Sequence, residues 1–315
     1  MATLRRAWEE LPAGLRCEVA RRLGGEVRAF GDRPGGFSYG VLGVAEFGAG
    51  GGRVFVKAVP AEDAAGYRAE AAVARALPVT VPSPRLRFAL ERDGWVLLCF
   101  DVAPGRLPHE PWLRHELDAA LDAVTRCVRE LTPSPVAEVP TVAGRMAGRC
   151  GTWRSLAEAG AREPVTTGGL PAWQREHLDR LAEIEGRWAG LVTGDTLLHF
   201  DLRHDNVLVA PDGRTAGVVD WGRACVGPGW VDLVCLLLLS RADGVDLEET
   251  FLAHPLGQSA PPDAVEAFLV ALAGYWTHTA ALPGPAHAPH LQDRRERSRA
   301  AAIGWLRRRW GRPSS

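Results

Sequence analysis

The sequence predicts an α+β protein of two lobes, a small β-rich N-terminal lobe with one key helix and a larger, mainly helical C-terminal lobe. Three observations lead there. The chain has 315 residues, about twice the ~150 of an average domain. Up to Phe100 it reads as short β-like runs separated by glycine. From Pro104 onward proline and glycine punctuate longer stretches of helical spacing. The division follows: residues 1–99 as the first lobe, 100–105 as a hinge, and 106–315 as the second.

Each element has its own signal. Leu4, Trp8, Leu11 and Leu15 recur at helical spacing within residues 1–25. Glu26–Phe30, Val41–Phe47 and Arg53–Val59 are β-like, and Pro60 stops the third. Ala61–Leu77 reads as a helix entered through Pro60 and closed before Pro78. Arg85–Leu90 and Trp95–Phe100 are strands around a turn at Arg92-Asp93-Gly94. In the second half, 111–131, 144–160, 171–190, 230–241, 261–281 and 291–310 read as helices. Leu197–Phe200, Val207–Val209 and Gly217–Val219 are short strand-like pieces.

Composition narrows the function. Hydrophobic residues make up 46% and charged residues 24%, the proportions of an ordinary globular protein. The 37 basic residues nearly cancel the 38 acidic ones, so no global field selects nucleic acid or anionic lipid. No apolar run approaches the ~20 residues of a membrane span, and the N-terminus lacks a signal-peptide stretch. The six cysteines form no C-x-x-C pair and read as free thiols in a reducing cytoplasm. Only one lysine occurs, Lys57, so 37 − 1 leaves 36 arginines. A lone lysine on that background marks a place where a compact ammonium is wanted rather than a planar fork.

The chemistry concentrates in His199-Phe-Asp-Leu-Arg-His-Asp-Asn206, which fits H-x-D-x-x-x-x-N. Fourteen residues after Asn206 comes Asp220-Trp-Gly222, a D-x-G. Phosphoryl transfer gives these residues a reason to sit together. Asn206 and Asp220 offer hard oxygens for a magnesium ion that neutralises phosphate charge. Asp201 can orient an acceptor hydroxyl and take its proton. Upstream, Lys57 ends a strand and suits phosphate. Glu70 shares an apolar helix face with Val73 and Leu77, and a carboxylate there needs a partner, which Lys57 supplies. Glu62 is the second choice. Gly35, Gly36 and Ser38 bridge two strands and read as a phosphate-covering loop. The backbone of Phe100 and Val102 can pair with a nucleobase.

This ordered set resembles the aminoglycoside phosphotransferase family, within the protein-kinase-like fold that also holds choline, homoserine and methylthioribose kinases. The resemblance covers roughly residues 26–280. It implies Asp201 as the catalytic base, Asn206 and Asp220 as Mg2+ ligands, and Lys57 with Glu70 as the phosphate-holding pair, with ATP or GTP as donor. It also implies that Asp232 braces the catalytic-loop backbone. The family usually has glycine where this chain has Phe200, and smaller residues than Arg203 and His204.

The expected activity is transfer of the γ-phosphate of ATP or GTP to a hydroxyl of a small molecule, without nucleic-acid or membrane partners. The alternatives are a nucleotide-binding pseudokinase acting as a regulator, and a protein kinase. Asp232 follows Asp220 by only 12 positions, which leaves little room for an activation segment. A polycationic acceptor calls for an acidic pocket, yet residues 105–190 hold 12 acidic and 11 basic residues. The C-terminal residues 291–315 carry eight arginines against two acids and read as a solvated helix face. Trp112, Trp153 and Trp276 are candidates to line an acceptor pocket. The sequence is silent on oligomeric state.

Overall fold

The computed structural model describes residues 5–32, 40–162, 170–284 and 291–311. The chain begins with a 3-10 turn at Trp8–Glu10 and helix α1 (Ala13–Leu23). Strands β1 (Val27–Asp32), β2 (Val41–Phe47) and β3 (Gly52–Pro60) follow, then α2 (Ala65–Ala76), β4 (Leu86–Arg92) and β5 (Trp95–Asp101). The five strands form one antiparallel sheet in the order β1-β2-β3-β5-β4.

Strand alternation decides what each face of the sheet meets. On one face Val54, Val56, Ala58, Leu97 and Cys99 pack against Leu11, Leu15 and Val19 of the N-terminal segment. Burying each of these valine and leucine side chains contributes about 1.5–3 kcal/mol. On the other face Leu98 and Phe100 meet Ala71 and Ala74 of α2. Lys57, odd-numbered like Phe55 on β3, falls on this second face, opposite Leu98 in the register.

The remainder is mainly helical: α3 (Arg114–Glu130), α4 (Val142–Arg145), α5 (Thr152–Arg162), α6 (Ala172–Glu176) and α7 (Leu178–Leu191). Four short strands follow, β6 (Thr196–Leu198), β7 (Val207–Val209), β8 (Ala216–Val218) and β9 (Cys225–Gly227). The chain then forms α8 (Trp230–Leu239), α9 (Leu247–Ala253), α10 (Pro255–Gln258), α11 (Pro262–Ala281) and α12 (Leu291–Trp310). Helix α8 is apolar nearly all round and buried from Trp230 to Leu238, as a helix inside a core must be. This is the α+β architecture expected from the sequence.

Several expectations need correction. The helix expected over 144–160 is two pieces, α4 and α5. The chain turns between them through Gly151, whose φ of 123° favours glycine. The stretch 171–190 breaks at His177 into α6 and α7. The helix expected from Ala61 is a 3-10 turn at Ala61–Asp63, with α2 starting at Ala65. Trp112, Trp153 and Trp276 are buried in the helical core, and none lines the cavity beside Arg203, His204 and Asp205. The last helix is not simply solvated: Ser298, Ala302, Trp305 and Leu306 are buried, and Arg309 bonds Glu248 at 2.9 Å. No helix among the described residues is long and apolar enough to cross a membrane. The six cysteines are free thiols.

Candidate active site

The site is built where the sheet meets the helical part. Lys57 is buried, and its Nζ forms an ion pair with Glu70 Oε2 of α2 and a 3.0 Å bond to Asp220 Oδ1. Burial opposes the ammonium, but the charges of Asp220 and Glu70 outweigh it, so Lys57 holds its proton more tightly than usual. Glu70 is pushed up to about 7 by burial, with Lys57 pulling the other way. The Lys57 charge holds Asp220 down to about 2. Glu62 lies in the 3-10 turn before α2, so Glu70 is the partner that geometry selects. Tyr67 and Phe100 place their rings 5.0 Å and 6.0 Å from the ammonium.

Asn206 and Asp220 come together through the β7–β8 hairpin. Val207 pairs with Val218, and one step further the Val219 N–H donates to the Asn206 carbonyl at 3.0 Å. Asp220, next in the chain, adopts a φ of 71°, a conformation that aspartate tolerates better than most residues. Gly222 follows in a turn against which α2 packs. A Cβ there would lie 3.1 Å from the Gly66 carbonyl, so the close approach favours glycine.

Asp201 sits in a loop tied from three sides. The buried Asp232 of α8 accepts from the His199 N–H at 2.7 Å and the Phe200 N–H at 2.8 Å, the brace expected of it. His199 Nε2 lies 2.8 Å from the Val219 carbonyl, which can only accept, so Nε2 carries the proton. Nδ1 is then the acceptor for the Asp201 N–H at 3.3 Å. Asn206 Nδ2 donates to the Asp201 carbonyl at 2.8 Å and to its Oδ2 at 3.3 Å. Phe200 is buried with φ 61°. Glycine adopts that conformation without penalty, which accounts for the glycine usual at this place in the resembling family.

The model of the phosphotransferase enzyme family, APH, matches residues 44–268. The chain belongs to this phosphotransferase family. Streptomycin 3''-kinase of Streptomyces griseus is 31% identical over 222 residues, 68% of this chain and 80% of the relative. Two solved structures share the fold. One is the aminoglycoside phosphotransferase APH(4)-Ia, with a TM-score of 0.59 at 16% identity, covering 94% of this chain and 99% of that one. The other is a thermostable mutant of it in ternary complex with ADP and hygromycin B, with a TM-score of 0.58 at 14% identity, covering 96% and 100%. The protein is thus a small-molecule phosphotransferase, and the protein-kinase alternative gives way.

In this phosphotransferase the structure brings together Lys57, Glu70, Asp220, Asn206 and Asp201. Phe100 lies inside β5, flanked by Phe55 and Leu86, and Val102 is the first residue past Asp101, where β5 ends. Gly35, Gly36 and Ser38 lie outside the described residues. Arg203 has a larger part than the sequence suggested. It is buried, with Nε 3.2 Å from Asp201 Oδ2 and Nη1 2.6 Å from Asp205 Oδ2. His204 donates through Nε2 to the Pro108 carbonyl at 2.8 Å. Arg294 of α12, remote in sequence, lines a cavity with Arg203; only its place in an arginine-rich helix hinted at it.

Proposed function

We propose that this phosphotransferase moves the γ-phosphoryl group of ATP or GTP to a hydroxyl of a small molecule, with Asp201 as catalytic base. The observation that supports the reading is the joining of Lys57, Glu70 and Asp220 beside the anchored Asp201–Asn206 loop. The acceptor oxygen bonds to the γ-phosphorus as the bond to the β-phosphate bridging oxygen breaks. The nucleoside diphosphate leaves, and the hydroxyl proton passes to Asp201. Arg203 and Asn206 both bond Oδ2, which leaves Oδ1 for that hydroxyl. Residues 1–99 form the nucleotide lobe, 100–105 the hinge, and 106–315 the lobe that holds the acceptor. Lys57 holds phosphate and Glu70 positions Lys57; the Phe100 backbone is taken up between β3 and β4, so of the two hinge residues Val102, just past β5, is the one whose backbone meets the base. Gly35, Gly36 and Ser38 cover the phosphates. The reducing cytoplasm suits six unpaired thiols.

The residues also fit a magnesium ion. Asp220 is strongly ionised, and the Asn206 amide spends its NH2 on Asp201, leaving its carbonyl oxygen as a neutral hard donor. Among the described residues no group of three or more His, Cys, Asp or Glu could hold a metal ion. A pair of oxygen donors suits a cation that completes its shell with phosphates and water. When bound, that ion would neutralise phosphate charge.

The test is nucleoside diphosphate release with Mg·ATP or Mg·GTP across hydroxylated acceptors, Asp201→Ala beside the wild type. We expect acceptor-dependent release, reduced by about 10²–10⁴-fold in the variant. Nucleotide binding without release from any acceptor points instead to the pseudokinase.

A further inference from the structure

We infer that the acceptor carries an oxyanion, a carboxylate or a phosphate, seated on the arginines of the cavity between the catalytic loop, the end of α8 and the first turns of α12. The inference rests on the phosphotransferase reading above and names the substrate class of that same site. The cavity measures about 220 Å³, and its charged lining is Arg203, Arg241, Arg294 and Arg297 against Glu110 and Asp205. Arg203 also bonds Asp201 Oδ2, so the cavity lies one side chain away from the catalytic carboxylate. With Asp201 counted, four guanidiniums still face three carboxylates.

The arrangement of these cations favours an anion. Arg294 and Arg297 are three residues apart on α12 and therefore share one helix face. Arg294 lies in the first turn of that helix, where the dipole is positive and a cation is poorly placed. Burial, and then the charge of Arg203, hold the Arg294 guanidinium down to about 10, with Asp201, Asp205 and Tyr275 pulling the other way. An oxyanion would relieve that repulsion and match the guanidinium forks geometrically. A polycation would add to the repulsion. Size points the same way, because the volume falls below the ~300–1,000 Å³ of sites for drug-sized ligands. It suits an acid head group and a few carbons better than several aminated rings.

Isothermal titration of the whole protein saturated with Mg·AMP-PNP tests this. The probes are glucuronate, glucose 6-phosphate, glucose, glucosamine and streptomycin. We expect glucuronate or glucose 6-phosphate to bind at least about tenfold more tightly than the neutral and cationic probes; the tighter of the two identifies carboxylate or phosphate as the group recognised. Arg294→Gln combined with Arg297→Gln should remove that preference, with AMP-PNP affinity as the control for folding. Tighter binding of streptomycin or glucosamine, or five probes bound alike or not at all, overturns the inference. Binding of AMP-PNP that is present in the wild type and lost in Lys57→Ala supports the nucleotide site of that reading separately, and diphosphate release decides between phosphotransferase and pseudokinase. Absence of AMP-PNP binding from the wild type would remove that reading and the inference with it.

Discussion

Phe200 shows how one residue can hold a loop at a cost. Its φ of 61° lies where an L-residue loses about 1–2 kcal/mol, yet its ring is buried in the helical core, where removing a Phe side chain costs about 3–5 kcal/mol. Packing outweighs strain. Phe200→Gly should therefore lower stability by about 2–3 kcal/mol, read from urea denaturation. Activity per folded molecule should stay within about threefold, because Asp232 and His199 still anchor the backbone around Asp201. A variant more stable than the wild type would reverse that ranking. At this scale the sequence was informative wherever chemistry demands a residue type at a fixed spacing. Lys57, Glu70, Asp201, Asn206 and Asp220 were singled out that way, and the fold brings them together. The Arg203–Asp201 pair was not, because side chains two apart meet only in a loop conformation that no periodicity encodes.

Elements join the loop to the rest of the protein through short polar anchors. Glu116, in the first turn of α3 and fully buried, accepts from the backbone N–H groups of His109 and Leu113 at 2.9 and 3.2 Å. It also pairs with Arg106 at 2.7 Å, so it fastens the segment following β5 to the start of a long helix. Burial raises its carboxyl, but the bonds from His109, Arg106 and Leu113 outweigh it and hold Glu116 down to about 2. Its folded value lies below the unfolded 4.5. Its stabilisation is therefore fully present above pH 4.5 and is lost as the pH falls toward 2. Glu116→Gln should cost about 2–3 kcal/mol at pH 7 and flatten the acid side of the stability profile, measured by urea midpoints from pH 7 to 3. An unchanged slope would mean that other carboxylates carry the acid sensitivity. Long periodic helices such as Leu291–Trp310 were legible with their bounds. The three-residue strand Cys225–Gly227 and the short helices Leu247–Ala253 and Pro255–Gln258 were missed, because so few residues leave no period to count.

Across the whole molecule, the sheet with α2 meets the helical part through a charged tie, the close approach of Gly66 to Gly222, the Val218 N–H bond to the Pro82 carbonyl at 2.8 Å, and the burial of Val73, Leu77 and Val81 in the helical core. In the tie, Lys57 and Glu70 belong to the sheet side and Asp220 to the helical part, and α2 rests on the turn at Gly222. The sequence could place these groups in order but not show that a single ammonium is shared by both carboxylates. The arginine wall of the cavity was hidden for a related reason: Arg241 and Arg294 come from elements whose approach only the tertiary fold sets. The tie makes stability depend on Asp220. Its folded value, about 2, lies below the ordinary 3.8, so its contribution is complete above 3.8 and disappears as the pH falls through about 2. The carboxylate is about half exposed, which screens it and reduces the effect to about 1 kcal/mol. Asp220→Asn should lose that amount at pH 7 and little at pH 2, so the two denaturation midpoints converge on acidification. Amide exchange in α2 should rise in the variant at pH 7, because Lys57 then holds Glu70 without holding the other half. Equal exchange in the two proteins would show that the backbone and apolar contacts of α2 and residues 77–83 keep the halves together without the tie.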